Sequence, residues 1–271
     1  MFTAKENSQC KRFHEVAGSL GFSKGRRGSH FSSAHRRQAL MSREQFSLSV
    51  ALVVKGAFDD GILHDFAEKT GFEPVIEWAP TTVILASLEK GSRPDGVIVT
   101  DDALAGLVRE GIVASDASIP LVASKIGIGV SRGAEHPDIA TVKALRDTLL
   151  NARSVAYSLG GQSGLYFAPL LERLGIADVV NARATRIPAG FSAEKLRTGE
   201  ADIAVQQISE LLAIEGTEIV GAFPEEIQKV TVFSGAPLAD SPQREKVEAF
   251  LAFLRQPKSA ERFRKSGLEP Q

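Results

Sequence analysis

Residues 121–131 read LVASKIGIGVS. Strands usually run five or six residues, and a glycine inside one marks a bend or a close backbone approach. This run is twice that length and carries Gly127 and Gly129. It suits a chain that leaves one sheet and enters another. On its N-terminal side, short β-branched runs alternate with helical patterns, the signature of an α/β fold built mainly on parallel strands. The reading places strands at 47–54 (SLSVALVV), 73–78 and 97–100 (VIVT). Helices fill 57–70, then from Thr81 and Thr82 to about Lys90, then from a capping Asp101 through Arg109. Phe58, Ile62, Phe66 and Ala67 share one face of the first helix, and Gly71 stops it.

On the C-terminal side the alternation resumes, with helices at 141–151, 163–174 and 192–198 and strands at 154–157, 184–187 and 202–206. Residues 217–223 and 229–236 are further strands, the latter a return crossing, and 242–254 and 259–265 are closing helices. The expected architecture is a two-lobed α/β fold, each lobe a mainly parallel sheet flanked by helices, with a crevice between them. Lobe 1 takes residues 46–125 and 231–271, and lobe 2 takes 126–230. Residues 1–45 are expected to be a disordered basic tail, or to precede a true start at Met41.

The formal charge of −1 conceals an asymmetry. Residues 1–43 hold nine Lys/Arg against two acids, leaving a body of 23 Lys/Arg against 31 Asp/Glu. An acidic body is a poor match to a nucleic-acid backbone, so no nucleic-acid partner is expected. Cys10 is the single cysteine, which excludes an intrachain disulfide and a cysteine-rich zinc site. His64, His136 and their neighbouring acids lack metal-ligand spacing, and neither metal nor cofactor is expected. No run of about 18 apolar residues is present, so direct membrane insertion is not expected. A monomer is expected.

The stretch AYSLGGQSGLYF, residues 156–167, is a strand, a small-residue loop and a helix start. Bare N–H groups in such a loop and the positive end of a helix suit an anion. Ser158, Gly161, Ser163 and Gly164 are the candidate contacts there. The loop has neither the ending of a P-loop nor the spacing of a dinucleotide fingerprint. Two turns of similar character lie earlier, Lys55-Gly56-Ala57 and Ala79-Pro80-Thr81-Thr82, and ligands of open α/β sheets gather at such carboxyl ends of strands.

The order of these turns resembles the type 2 periplasmic solute-binding proteins, in particular their molybdate-binding branch, over about residues 46–270. The resemblance is carried by FAEKTGFEPVIEWAPTTVILASLEKGSRPDGVIVTDDALAGLVREGIV, LRTGEADIAVQQISELLAI and AFLAFLRQPKSAERFRKSGLEP. It implies the periplasmic-binding-protein-like type II fold, and capture of a small anion, an oxyanion such as molybdate or a small carboxylate, between the lobes for the membrane subunit of an ABC-type transporter. It also implies a periplasmic location, while the lack of an apolar export core in residues 1–45 leaves a cytoplasmic location as the alternative. Where the family places serines in the first two turns and a tyrosine near the hinge, this chain has Gly56 or Ala57, Thr81 or Thr82, and Gln206 or Gln207. Aconitate isomerase resembles the same group, and implies an alternative: isomerisation of a small tricarboxylate by an allylic proton shift. That chemistry needs a positioned base, for which Lys55, Tyr157 and Glu210 are the candidates.

Overall fold

The computed structural model describes residues 44–271, and the expectations for residues 1–43 lie outside the described residues. Strand β1 (Glu44–Val50) turns Phe46, Leu48 and Val50 into the core. The sequence reads as strand to Val54, but the chain leaves the sheet at Ala51, whose N–H reaches the Ile98 carbonyl at 2.8 Å, and Leu52–Val54 form a 3-10 turn. Val53 and Val54 are themselves buried, so hydrophobicity continues past the point where pairing ends. The helical stretch that follows kinks at Gly61, φ +101°, before helix α1 (Leu63–Thr70). Gly71 ends α1 in a left-handed conformation, its N–H bonded to the Ala67 carbonyl.

Then come β2 (Phe72–Trp78), α2 (Thr81–Glu89), the wholly buried β3 (Gly96–Thr100) and α3 (Asp101–Arg109). Asp101 does not cap α3: Thr100 occupies the cap position and the Asp101 carboxylate accepts from Ser234 Oγ at 2.6 Å. Strand β4 (Ile119–Ser131) is 13 residues long. It is followed by α4 (Val142–Asn151), capped by Thr141, then β5 (Val155–Ser158), α5 (Gln162–Arg173) and α6 (Ala177–Asn181). The chain continues through β6 (Thr185–Ile187), α7 (Glu194–Arg197), β7 (Ile203–Gln207), α8 (Ile208–Leu212) and β8 (Thr217–Ala222). It closes with β9 (Val230–Pro237), α9 (Arg244–Leu254), α10 (Pro257–Lys265) and β10 (Glu269–Pro270). Short α6 and α8 have no counterpart in the sequence reading.

The strand order is β2-β1-β3-β9-β4-β7-β5-β6, with β8 and β10 also on β4. β1 runs parallel to β2 and β3, and β5 runs parallel to β6 and β7, the arrangement that βα alternation dictates. The long strands are antiparallel additions. β4 pairs with β9 from Ile119 to Lys125, then with β7 and β8 from Ile126 onward. One strand therefore belongs to two sheets in succession.

Hydrophobic packing divides at the same place. Phe46, Phe58, Phe66, Leu121, Val122, Phe233 and Phe250 belong to one core, in which the Phe250 ring lies 4.9 Å from Phe66 and 5.6 Å from Phe58, each edge to face. Ile126, Ile128, Leu145, Tyr157, Phe167 and Phe223 belong to another. Across the β4–β9 ladder, Ser124 faces Thr231, and both buried hydroxyls lack a partner.

The two β4 glycines are close-approach positions. A Cβ on Gly127 would sit 2.6 Å from the Gly221 carbonyl oxygen and 2.7 Å from Ile208, and one on Gly129 would meet Thr217 at 2.8 Å. The backbone oxygen cannot turn away as a side chain could. Gly127→Ala is therefore expected to destabilise the protein by about 1–3 kcal/mol, the usual range for overpacking, measured by urea denaturation. Gly133→Ala has open space around its Cβ but a φ of +80°, and is expected to cost only the backbone strain.

Candidate functional site

The sheets meet at a small cavity of about 20 Å³. From the first core's side it is lined by Ala51 and Leu52 after β1, Pro80 and Thr81 after β2, and Phe233 of β9. From the other side come Ser158, Gly161 and Gln162 after β5, Gly190 after β6, and Gln206, Gln207 and Glu210 at the β7–α8 junction. Apart from Phe233, which lies within β9, each of these segments ends a strand, as expected for ligand sites of α/β sheets.

Two helices begin here from opposite sides. α2 starts after Pro80 and α5 after Gly161, and neither has a side-chain cap. Their first-turn N–H groups and dipoles give the cavity a positive potential without a cation. Hydroxyls add donors: Thr81 Oγ1 accepts from Thr100 N at 3.3 Å and Ser158 Oγ accepts from Gly161 N at 3.0 Å, which leaves both O–H groups free to donate. Gly164 lets α5 approach β5 this closely, because a Cβ there would lie 1.4 Å from the Ser158 carbonyl oxygen. The two sides are joined directly by Thr82, whose Oγ1 donates to the Gly160 carbonyl at 2.8 Å.

The adjacent glutamines have divided roles. Gln206 Oε1 accepts from Ser192 N at 2.7 Å and Ser192 Oγ at 2.9 Å, and Nε2 donates to the Gly190 carbonyl at 3.0 Å. It holds the 190–192 loop against β7. Gln207 is 1% exposed, and neither atom of its amide has a partner. The hydroxyl of Ser163, in the first turn of α5, is likewise buried and unpartnered.

Glu210 is the only ionisable side chain of the cavity wall. Burial pushes its carboxyl up to about 7, against the opposing pull of hydrogen bonds from the Gln207 N–H and the Gln206 amide. The remaining candidates lie elsewhere. Lys55 is bonded to Asp59 at 2.7 Å, with its ammonium 5.2 Å from the centre of the Trp78 ring. With Gly56 it lines a separate groove, and Ala57 is buried in the first core. Tyr157 is in the second core, its hydroxyl donating to Asn181 Oδ1 at 2.6 Å. A larger groove of about 710 Å³ runs along α4, but no orphaned buried polar atom opens into it. Among the described residues no cluster of three His, Cys, Asp or Glu could hold a metal. The Gly190–Ser192 contribution went unread, though PAGFS after a strand is the same small-residue turn signal as the others.

Sheets joined by a shared long strand, with a cavity of neutral donors at the strand ends, define an α/β fold of the periplasmic-binding-protein type. The chain belongs to the bacterial extracellular solute-binding protein family, whose pattern it matches over residues 48–269. It is 38% identical over 184 residues to an aconitate isomerase from Pseudomonas sp., covering 68% of this chain and 70% of the relative. In fold it is similar to the periplasmic molybdate-binding protein of Azotobacter vinelandii, with a TM-score of 0.69 and 18% identity over 82% of this chain and 98% of that one. The sulfate-binding protein SubI of Mycobacterium tuberculosis gives a TM-score of 0.66 and 16% identity, over 84% of this chain and 87% of that one.

Glu210 makes stability depend on pH in a definite sense. Its folded pKa is raised, so the folded state binds more protons than the unfolded chain between about pH 4.5 and 7. Stability is lost as pH rises through that window. Glu210→Gln removes the effect, and the variant is expected to gain roughly 2–3 kcal/mol relative to the parent between pH 5 and pH 8. Parallel urea denaturation at the two pH values checks this.

Proposed function

We propose that the chain takes up a small carboxylate anion between its two sheets and shifts a proton within it, in the manner of an aconitate isomerase. The observation that carries this reading is Glu210: an ionisable carboxyl in a cavity of converging donors, paired with no cation among the described residues. For capture of an anion alone, an ionised carboxylate at this position is unfavourable. A carbon-acid enzyme needs one, and a carboxyl held near neutral pH is matched to that task. Ionised Glu210 takes a proton from the allylic carbon of the bound acid, and the electron pair moves into the conjugated system. Donors at the starts of α2 and α5 hold the developing charge. The proton then returns at the other end of the allyl unit. The 38% identical relative supports the same reaction class.

Closure is proposed between residues 46–125 with 231–271 on one side and 126–230 on the other, a division supported by the separate cores. A location outside the cytoplasmic membrane is supported by the family's extracellular description.

A second reading, capture of an oxyanion for an ABC-type transporter, is favoured by the cation-free donor lining and the small cavity. One experiment separates them. Incubation with cis- or trans-aconitate, followed by proton NMR, is expected to show interconversion that quickens with pH through about 7 and falls at least about 100-fold in Glu210→Gln. Thermal stabilisation by molybdate or sulfate, with no turnover of either aconitate, would instead establish the transport reading.

A further inference from the structure

The cavity places two acceptors where an anion binds. Gln207 lines it with an amide that is buried and partnered at neither atom, while Gln206, one residue earlier, is engaged with the 190–192 loop and with Glu210. The amide nitrogen can donate to an anion, but Oε1 can only accept. Glu210 lines the same wall, and when ionised it too only accepts. A fully ionised ligand has no hydrogen to offer either group, and would face a carboxylate of its own sign in a poorly hydrated space.

Neighbouring charges do not relieve this. The charged side chains on the elements packed against α8 are Lys125 of β4, Glu218 of β8 and Lys55 before the kink. Lys55 is paired with Asp59, Glu218 with His136, and Lys125 is exposed. β7 carries no charged residue. The bonds to Glu210 come from the Gln207 N–H and the Gln206 amide, both neutral donors.

Resting on the reading of this cavity as a small-anion site, we propose that the chain takes up one proton together with each fully ionised anion, the proton shared between Glu210 and the ligand beside the Gln207 amide. The proton turns one acceptor into a donor and removes the like-charge contact. Burial already holds the Glu210 carboxyl close to neutral pH, so the uptake is small in cost there. The same linkage opposes the two steps of the proposed reaction, since binding favours the protonated carboxyl and proton abstraction requires the ionised one.

Isothermal titration of the full chain with molybdate, sulfate and trans-aconitate, at pH 7 and pH 9 in buffers of different protonation enthalpy, tests this. For the probe that binds, uptake is expected to rise from about half a proton at pH 7 towards one at pH 9, with Kd about 50-fold weaker at pH 9. Glu210→Gln is expected to abolish the uptake and hold Kd within about threefold across the range, whereas Gln207→Leu weakens binding about tenfold and keeps the uptake. Binding with no buffer dependence and a flat Kd would overturn the proposal and leave the small-anion reading standing. Uptake retained in Glu210→Gln would remove Glu210 as its seat. Silence of all three probes at both pH values would overturn the small-anion reading itself. The buffer dependence of the parent chain decides the matter even if a variant does not fold.

Discussion

The structure depends on how β4 divides its hydrogen bonds. Its first half is bound to β9 and its second half to β7 and β8. A strand can satisfy two neighbours at any point, so sharing one strand between two sheets sacrifices no backbone bond, provided the partners change at the same register. The changeover falls at Lys125–Ile126, and the hydrophobic cores part there as well. The cavity follows from this, because two sheets strung on common strands bring the ends of their parallel strands face to face.

Much of this was legible in the sequence, and the reasons differ by element. The parallel strands and their helices announce themselves by period and by stops such as Gly71, whose φ of +75° requires what glycine allows. The end of β1 did not, because Leu52–Val54 remain apolar while turning out of the sheet. The glycines of β4 stand out in the sequence, yet what they admit, the Gly221 backbone and Ile208 at Gly127 and Thr217 at Gly129, arises only in three dimensions. The site was legible as a set of turns. Its division of labour was not: nothing in two adjacent glutamines says that Gln206 spends its amide on a loop 14 residues upstream while Gln207 keeps both atoms unpartnered. Lys55 and Tyr157 looked equally suited to chemistry, and only packing shows one tied to Asp59 and the other to Asn181.

Charge in this site is handled by arrangement rather than by opposite charge. Two uncapped helix starts and free hydroxyls give a positive potential to a space lined by no lysine or arginine. That leaves Glu210 without the partner that would hold its carboxyl low, and burial then raises it. The lack of a cation and a carboxyl held near neutral pH are therefore one fact. A lysine introduced beside Glu210 would make the cavity more positive and pull that carboxyl down in the same step.

The bond from Thr82 to the Gly160 carbonyl joins the two sides without touching the cavity's contents. A main-chain carbonyl is the same whatever lies beneath it. Any molecule that recognised the joined outer surface would therefore read only that the two sides had met. Whatever selectivity the cavity has is carried by the groups that line it, and none of it by the bond that joins its two sides.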